Sequence, residues 1–599
     1  MAVYVKEETK QVPVSNESSQ ENGANPRKLK GCLRKLLIGL GVWILLSGIL
    51  IWILHSIFTP SPVEIEDNTI YRIDMVGEVV ERTEDGIVLE DLLSGVLGED
   101  MLSTKIGLDD LLNNIELAKN NDKVKGIYLH GGSLSISPAS AKAFRDALLD
   151  FKSSGKFVIA YADSYTQTNY YIASVADKVY MSPVGSLAWD GLSAQQLYYK
   201  RLLDKVGVDM QILKVGEYKS AVEPYSSTSM SPEDREQTEK YLRGIWDVMK
   251  DAVAKSRHLS VANLDSYADE CMSLQPQNKY VEYGFVDELL YVQDMDSILR
   301  TFAGTEEYHV LTHAEMNKVD RVVVEADDKL AIVYLDGVIN DTGEEGIVTE
   351  DVVKCVKEIR DDESVKAVVL RVNSPGGSAS ASEQIWYAIK TLQDKGLPVV
   401  VSMGDYAASG GYYISCHADY IYAEPTTLTG SIGIFGMIPS FDGLRDKIGI
   451  DVDTVSTNMH SSLSANAVCL GMNSKERALM QTMVERGYDL FTKRCAEGRG
   501  LSQDSIKAIG EGRVWLGKDA LELGLVDAMG NMNDAIKKAA SLAKLGEYEL
   551  VYYPQEEDLQ TMIQDVLSVS TTEEQLLKKL RDFVSQPRVM TLMPKVIIK

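Results

Sequence analysis

Ser409 lies in Ala407-Ala408-Ser409-Gly410-Gly411-Tyr412, just past the apolar run Pro398 to Met403, where a helix is predicted to open near Ala407. A hydroxyl flanked by small side chains at such a junction is accessible and near the positive end of the helix, as a nucleophile requires. An ordinary helix-capping serine fits the same pattern. Serine does not attack at neutral pH without a base. His417 is about two helical turns further on, out of hydrogen-bond reach, and reads as a partly buried histidine. Neither GxSxG nor HExxH occurs, which removes lipase-like and zinc-protease readings. Lys219 remains, in Val215-Gly-Glu-Tyr-Lys-Ser-Ala-Val-Glu-Pro224. Taken alone it is one surface lysine among many. To act as a base it must be neutral near pH 7, a depression of roughly 3 pKa units or about 4 kcal/mol that burial or nearby positive charge must supply. The third element is Asn373-Ser-Pro-Gly-Gly-Ser378, where Gly376 and Gly377 follow an apolar strand and can present backbone N–H groups to an oxyanion. A plain strand-to-helix turn has the same composition.

Lys219 stands out because the chain is written twice. Val281-Glu-Tyr-Gly-Phe-Val-Asp287 recurs as Leu521-Glu-Leu-Gly-Leu-Val-Asp527, a whole domain later. Nearly the same spacing sets Tyr170-Tyr-Ile-Ala173 on Tyr412-Tyr-Ile-Ser415 and Asp177-Lys-Val-Tyr180 on Asp419-Tyr-Ile-Tyr422. It also sets Gln167 on Ser409 and Lys219 on Ser461, while His130-Gly-Gly-Ser-Leu-Ser135 is a weaker version of the glycine turn. Each copy holds a group that the other lacks, which implies one composite site.

The elements that must position these groups alternate. In the second copy they are strand Lys329 to Ile339, helix Val348 to Arg360, strand Val365 to Val372, helix Ser382 to Lys395, strand Pro398 to Met403, and strand Tyr420 to Ala423. The first copy runs Ile70 to Val80, Leu108 to Lys119, Val124 to His130, Ala139 to Phe151, Phe157 to Ala162 and Lys178 to Met181, with about 19 extra residues between its first two strands. Such alternation gives an α/β fold, a parallel sheet with helical crossovers. The expected organisation is a polar segment 1–35, an apolar span 36–58, the first repeat 60–303, a link 304–328, the second repeat 329–555 and an extension 556–599 outside the duplication.

The run Leu36 to Phe58 is about 23 residues long, enough to cross a bilayer and too long for a cleavable signal. Basic residues Arg27 to Lys35 precede it, so 1–35 is expected in the cytoplasm and everything after Pro60 outside. The net charge of −27 excludes a phosphate backbone, and hence nucleic acid, as partner. Six cysteines without CxxC read as buried free thiols rather than a zinc site or a disulfide framework.

From the anchor to about Asn531 the chain resembles the S49 family of membrane-bound serine proteases, in its long, duplicated signal-peptide-peptidase form. The matching segments are Gly216-Glu-Tyr-Lys-Ser-Ala-Val-Glu-Pro224, Asn373-Ser-Pro-Gly-Gly-Ser378, Ala407-Ala-Ser-Gly-Gly-Tyr412, Leu428-Thr-Gly-Ser-Ile-Gly-Ile434 and Gly512-Arg-Val-Trp515. The resemblance implies two crotonase/Clp-protease-like domains after a transmembrane helix. It implies Ser409 as nucleophile, Lys219 as general base, Ser431 orienting the lysine, and Gly376 and Gly377 as oxyanion donors. No cofactor or metal is implied. The implied substrates are peptides, namely signal peptides left after cleavage. The implied setting is a homotetramer held in the cytoplasmic membrane through lipid contact at 36–58. Two other classes fit parts of the pattern: a crotonase-like enzyme holding an acyl thioester, and a catalytically silent oligomeric scaffold.

Overall fold

Val368-Val-Leu370 and Val399-Val-Val401 are continuous β-rich apolar runs with no exposed surface. Strands of that kind need cover on both faces, and helices supply it. In a computed structural model that describes residues 63–83, 105–321, 325–343 and 345–554, with the backbone strands Val589–Leu592 and Ile597–Ile598, these runs lie at the centre of a parallel sheet. The apolar span 36–58, the polar segment 1–35 and the extra residues of the first copy's insertion at 84–104 lie outside the described residues. Among the described residues no helix is long and apolar enough to cross a membrane.

The duplication is visible in the strand order. One sheet runs His309–Thr312, Thr69–Asp74, Val124–His130, Phe157–Ala162, Lys178–Met181, Glu288–Leu289, all parallel. The other repeats that order with Glu549–Tyr553, Lys329–Asp336, Val365–Ser374, Val399–Ala408, Tyr420–Ala423 and Ala528–Met529. Crossover helices bury one stripe each. Thr349–Asp361, for example, turns Val352, Cys355, Val356 and Ile359 inward at helical spacing. The recurring letters prove to be scaffold. Tyr170 and Tyr412 donate their hydroxyls to Phe285 O and Leu525 O at 2.8 and 2.9 Å, and Asp177 and Asp419 accept the N–H groups of Val158 and Val399 at 2.8 Å.

Several boundaries differ from the sequence reading. The first strand of each copy stops early, because Gly77 and Gly337 take positive φ of 98° and 96° and turn the chain. The strand expected to end at Met403 continues to Ala408, since Tyr406, Ala407 and Ala408 pair with Leu428–Gly430; the next helix therefore begins at Gly410 rather than near Ala407. The stretch 304–328, expected as a link, contributes the edge strand His309–Thr312 to the first sheet. Cys355, Cys416 and Cys495 are buried free thiols as expected, whereas Cys271 is exposed.

From Glu64 onward the chain is one compact unit, and the repeats are joined covalently and by a shared sheet. Asp209–Val215 of the first repeat pairs antiparallel with Ile434–Ser440 of the second over their full length, from Val215 against Ile434 to Asp209 against Ser440. Asp405 reaches across to cap the helix Pro138–Lys152, accepting the N–H groups of Ala139 and Ser140 at 2.8 and 3.1 Å and the Ser140 hydroxyl at 2.5 Å. Beside it, Arg371 holds Glu81 in a buried ion pair at 2.7 Å.

Candidate active site

Where the strand Val399–Ala408 ends, Ser409 takes φ 57° and ψ −114°. That conformation is strained for a residue with a Cβ, by an amount on the order of 1–3 kcal/mol, and it is held by the Ser409 N–H donating to Gly430 O at 2.8 Å. The side chain makes no capping bond, so the helix-cap role does not apply. A cap needs extended φ and ψ to swing its oxygen over the first turn; here the turn swings Oγ away from it.

Toward Oγ comes Lys219. The shared strand Asp209–Val215 brings the first repeat's chain alongside the second, and Gly216, at φ 108°, bends it so tightly that a Cβ there would lie 2.4 Å from Glu511 O. Tyr218 then donates its N–H to Glu511 O at 2.9 Å. The Lys219 Nζ ends 2.7 Å from Ser409 Oγ, 3.0 Å from Ser431 O and 3.1 Å from Ser431 Oγ. The side chain is 0 % exposed, and burial drives its pKa well below the ordinary lysine range. Ser431 has φ 51° and donates its N–H to Arg513 O at 2.7 Å, which aims its carbonyl and hydroxyl at the amine.

Part of this support escaped the sequence reading. Gly512, at φ 77°, packs directly on the lysine stem: a Cβ there would lie 2.7 Å from Lys219 Cβ. Gly433 lies against its Cδ. Gln237 bridges the repeats, donating to Tyr218 O and Ser220 Oγ and accepting the Val514 N–H, each at 3.1 Å. Arg513 stacks on Tyr218 with its guanidinium carbon 4.6 Å from the ring centroid and pairs with Glu236 at 2.6 Å. Gly512 and Arg513 belong to a segment that the family resemblance singled out, without a stated role; nothing in the sequence distinguishes Gln237.

The Gly376–Ser378 strand faces the start of the Ser409 helix: a Cβ on Gly411 would come within 2.6 Å of Ser374 O. Gly376 has φ 101° and donates its N–H to Ser374 Oγ at 3.2 Å, while Gly377 has no room for a Cβ, which would meet Ile339 O at 2.0 Å. His417 lies elsewhere, half-buried, with Nδ1 3.0 Å from Gln393 Oε1.

The first repeat's equivalent place is built differently. Gln167 accepts the Asp190 and Gly191 N–H groups at 3.0 Å and donates to Gly191 O at 3.2 Å. Ser461, at the position matching Lys219, is exposed, its hydroxyl donating to Asn458 O at 2.8 Å.

The sequence profile of Peptidase family S49 matches twice, at residues 150–305 and 391–546, the first match containing Lys219 and the second Ser409 and Ser431. The protein named Protease 4 of Haemophilus influenzae is 38 % identical over 72 % of this chain and 72 % of its own length. The Protease 4 of Salmonella typhi is 37 % identical over 77 % and 76 %. Serine protease SPPA, chloroplastic, of Arabidopsis thaliana is 29 % identical over 76 % and 69 %. With the profile found in both halves and relatives aligned over most of their own length, this chain belongs to peptidase family S49 and is a serine protease with its family domain present in duplicate.

Proposed function

We propose that Ser409 is the nucleophile and Lys219 the general base of an endopeptidase, with Ser431 orienting the amine and the Gly376 and Gly377 N–H groups receiving the oxyanion. One observation carries the reading: a fully buried amine with its pKa driven down lies 2.7 Å from a hydroxyl at a strained strand end. Neutral Nζ takes the Oγ proton as Oγ attacks the peptide carbonyl. The resulting ammonium returns that proton to the departing amine nitrogen as the C–N bond breaks, leaving an ester on Ser409. Water then attacks the ester while Nζ accepts its proton, and the ammonium returns that proton to Ser409 Oγ as the ester C–O bond breaks, which releases the second product and restores the neutral amine. Each oxyanion donor contributes about 3 kcal/mol to such a step. A fluorophosphonate probe should label the wild type and neither Ser409→Ala nor Lys219→Ala, and hydrolysis of an apolar peptide should follow the labelling. Undiminished labelling of Lys219→Ala removes the lysine from the chemistry.

In the same reading, residues 60–303 supply the base and 329–555 the nucleophile. Residues 36–58 anchor the chain in the cytoplasmic membrane with both repeats outside it, and the substrates are signal peptides left in the bilayer. The length of the apolar run and the family resemblance support this.

A homotetramer completes the reading, and the duplication supplies an argument for association. The intramolecular pairing of Asp209–Val215 with Ile434–Ser440 has a symmetry-related counterpart, residues 451–457 against 192–198, and segment 451–457 forms no strand within this chain. Both regions display apolar side chains, Leu197 at 69 % exposure and Val455 at 99 %. Pairing of 451–457 from one copy with 192–198 of the next buries them and closes a ring. Light scattering on the detergent-solubilised protein should give four chains, and Val455→Asp should give fewer; a monomeric wild type ends this part of the reading.

A further inference from the structure

Lys219 and Ser409 belong to different repeats, and one buried side chain is hydrogen-bonded toward both of them. Gln237 lies near the start of the helix Pro232–Arg257 of the first repeat and is 2 % exposed. Its amide nitrogen donates to Tyr218 O and Ser220 Oγ, on the residues either side of Lys219, at 3.1 Å each, and to Asp234 Oδ1 at 3.0 Å. Its amide oxygen accepts the Val514 N–H of the second repeat at 3.1 Å. Val514 begins the strand Val514–Leu516, which runs antiparallel to Leu428–Gly430 with Val514 opposite Gly430. Gly430 O in turn receives the Ser409 N–H that fixes the nucleophile's backbone. The helix comes close enough for this because of Gly244, where a Cβ would lie 2.2 Å from Leu516 Cδ1. One amide thus links the lysine's turn on one side to the serine's backbone on the other.

The other copy has no such link. The spacing that carries Gln167 onto Ser409 carries Gln237 onto Leu479, which has no polar side-chain atom and is 53 % exposed. Ser461, the counterpart of Lys219, is exposed as well, so that copy has no amine to place. Where the amide is present, deleting it leaves the buried Val514 N–H without a partner and frees the Tyr218–Ser220 turn to move against the strand end that carries Ser409. Water entering the loosened slot then solvates the ammonium form of Lys219, which burial disfavours. The charged groups around the two turns are Asp234, Glu236 with its partner Arg513, Glu223 bonded to Ser231, and Glu217 and Glu511, whereas the amine itself meets neutral oxygens.

We propose that Gln237 is a positioning residue for peptide hydrolysis: by joining the Tyr218–Ser220 turn of one repeat to the Val514–Gly430 pairing of the other, it sets the distance and direction from Lys219 Nζ to Ser409 Oγ without touching substrate or the reacting atoms. The proposal rests on the reading of Lys219 as general base and Ser409 as nucleophile. Gln237→Met nearly keeps the volume and removes all four hydrogen bonds, while Gln237→Glu keeps an acceptor for Val514 and loses the donors to the lysine's turn. Gln211→Met is the matched control. Gln211 is another buried glutamine between the repeats, donating to Ala467 O at 2.8 Å and accepting the Met472 N–H at 2.6 Å, and none of its bonds reaches the turn of Lys219 or the strand end of Ser409.

Fluorophosphonate labelling rates, and kcat and KM on an apolar peptide, are measured across pH for the full-length wild type and the three variants, together with urea unfolding. In both Gln237 variants kcat should fall about 10- to 100-fold with KM within about twofold of the wild type, and the acidic limb of labelling should move up by about one pH unit. Gln211→Met should lower the unfolding midpoint and keep the wild-type limb; a merely structural role for Gln237 would give the same pattern. A wild-type limb and kcat in Gln237→Met, or in Gln237→Glu where the methionine variant does not fold, overturns the proposal. If labelling proves independent of Lys219, the reading of the base fails, and unfolding still decides the positioning. The rise of stability with pH that a neutral buried amine produces should begin at higher pH in the Gln237 variants than in the wild type, and an unchanged onset overturns the proposal.

Discussion

Lys219→Met is the perturbation that asks most of the site. Methionine is unbranched and close to lysine in length, so it fills the slot between Gly512 and Gly433 with little change in volume. The amine it removes has three neutral oxygen partners within 3.1 Å and no exposed surface. Without the base, the rate of acylation should fall about 10³- to 10⁴-fold. The pH dependence carries the sharper signature. Burial lowers the folded-state pKa well below that of the unfolded chain, so between the two values the unfolded state holds a proton that the folded state does not. Stability of the wild type therefore rises with pH through that window, by about 1.4 kcal/mol per unit from this one group, and Lys219→Met lacks the slope. From pH 7 to pH 9 the methionine variant's advantage should shrink by up to about 2.7 kcal/mol. Activity has the same sense: the neutral amine forms as pH rises through the folded value, so below it the fluorophosphonate labelling rate of the wild type should fall tenfold per pH unit. Labelling rates and urea unfolding, each followed across pH for both proteins, read the two effects. A variant that keeps the wild type's acidic limb, or a stability difference that does not change with pH, would refute the argument that Lys219 is neutral in the folded protein.

Gly512→Ala should lower kcat about 10- to 100-fold with the fold intact, because the new methyl group displaces the Lys219 stem; a misplacement near 1 Å has that effect, and a wild-type kcat would show that the stem has slack. Gln167→Ser placed in the Ser409→Ala background should restore no hydrolysis, since the matching base position holds exposed Ser461; measurable turnover would reveal a base not described above. Glu81→Ala leaves the Arg371 guanidinium buried without its carboxylate and should destabilise the protein by about 3–5 kcal/mol, seen as a lowered unfolding midpoint; an unchanged midpoint would mean that water enters to solvate Arg371.

The parallel sheets were legible because burial on both faces writes itself as unbroken apolar runs, and Val124–His130, Phe157–Ala162, Lys178–Met181 and Tyr420–Ala423 have the expected ends. The duplication was legible for a related reason: Tyr170 and Tyr412, or Asp177 and Asp419, perform the same bond in each sheet and so stay alike. Ser409 and Lys219 emerged from differences between the copies, and they lie in contact. The left-handed φ of Ser409 was not legible, since glycine ordinarily supplies that conformation and no residue type announces a serine forced into it. Gly512 meets Lys219 only after the chain has returned from far away in sequence, and Gln237 ties the lysine's turn to Val514 across 277 positions, which leaves no local pattern. The tail strand Val589–Leu592 is four residues long, too short for periodicity to mark it.

The contact between Lys219 and Ser409 joins residues 190 positions apart, and the turn that seats the lysine comes later still, at Glu511 to Arg513. A ribosome makes these pieces in order, so under the proposed roles a growing polypeptide carries its proton acceptor long before it has anything to activate, and its hydroxyl before the acceptor is seated. On that assignment hydrolytic power arrives only once the chain through Arg513 has emerged and folded, and a product terminated before it lacks a seated base.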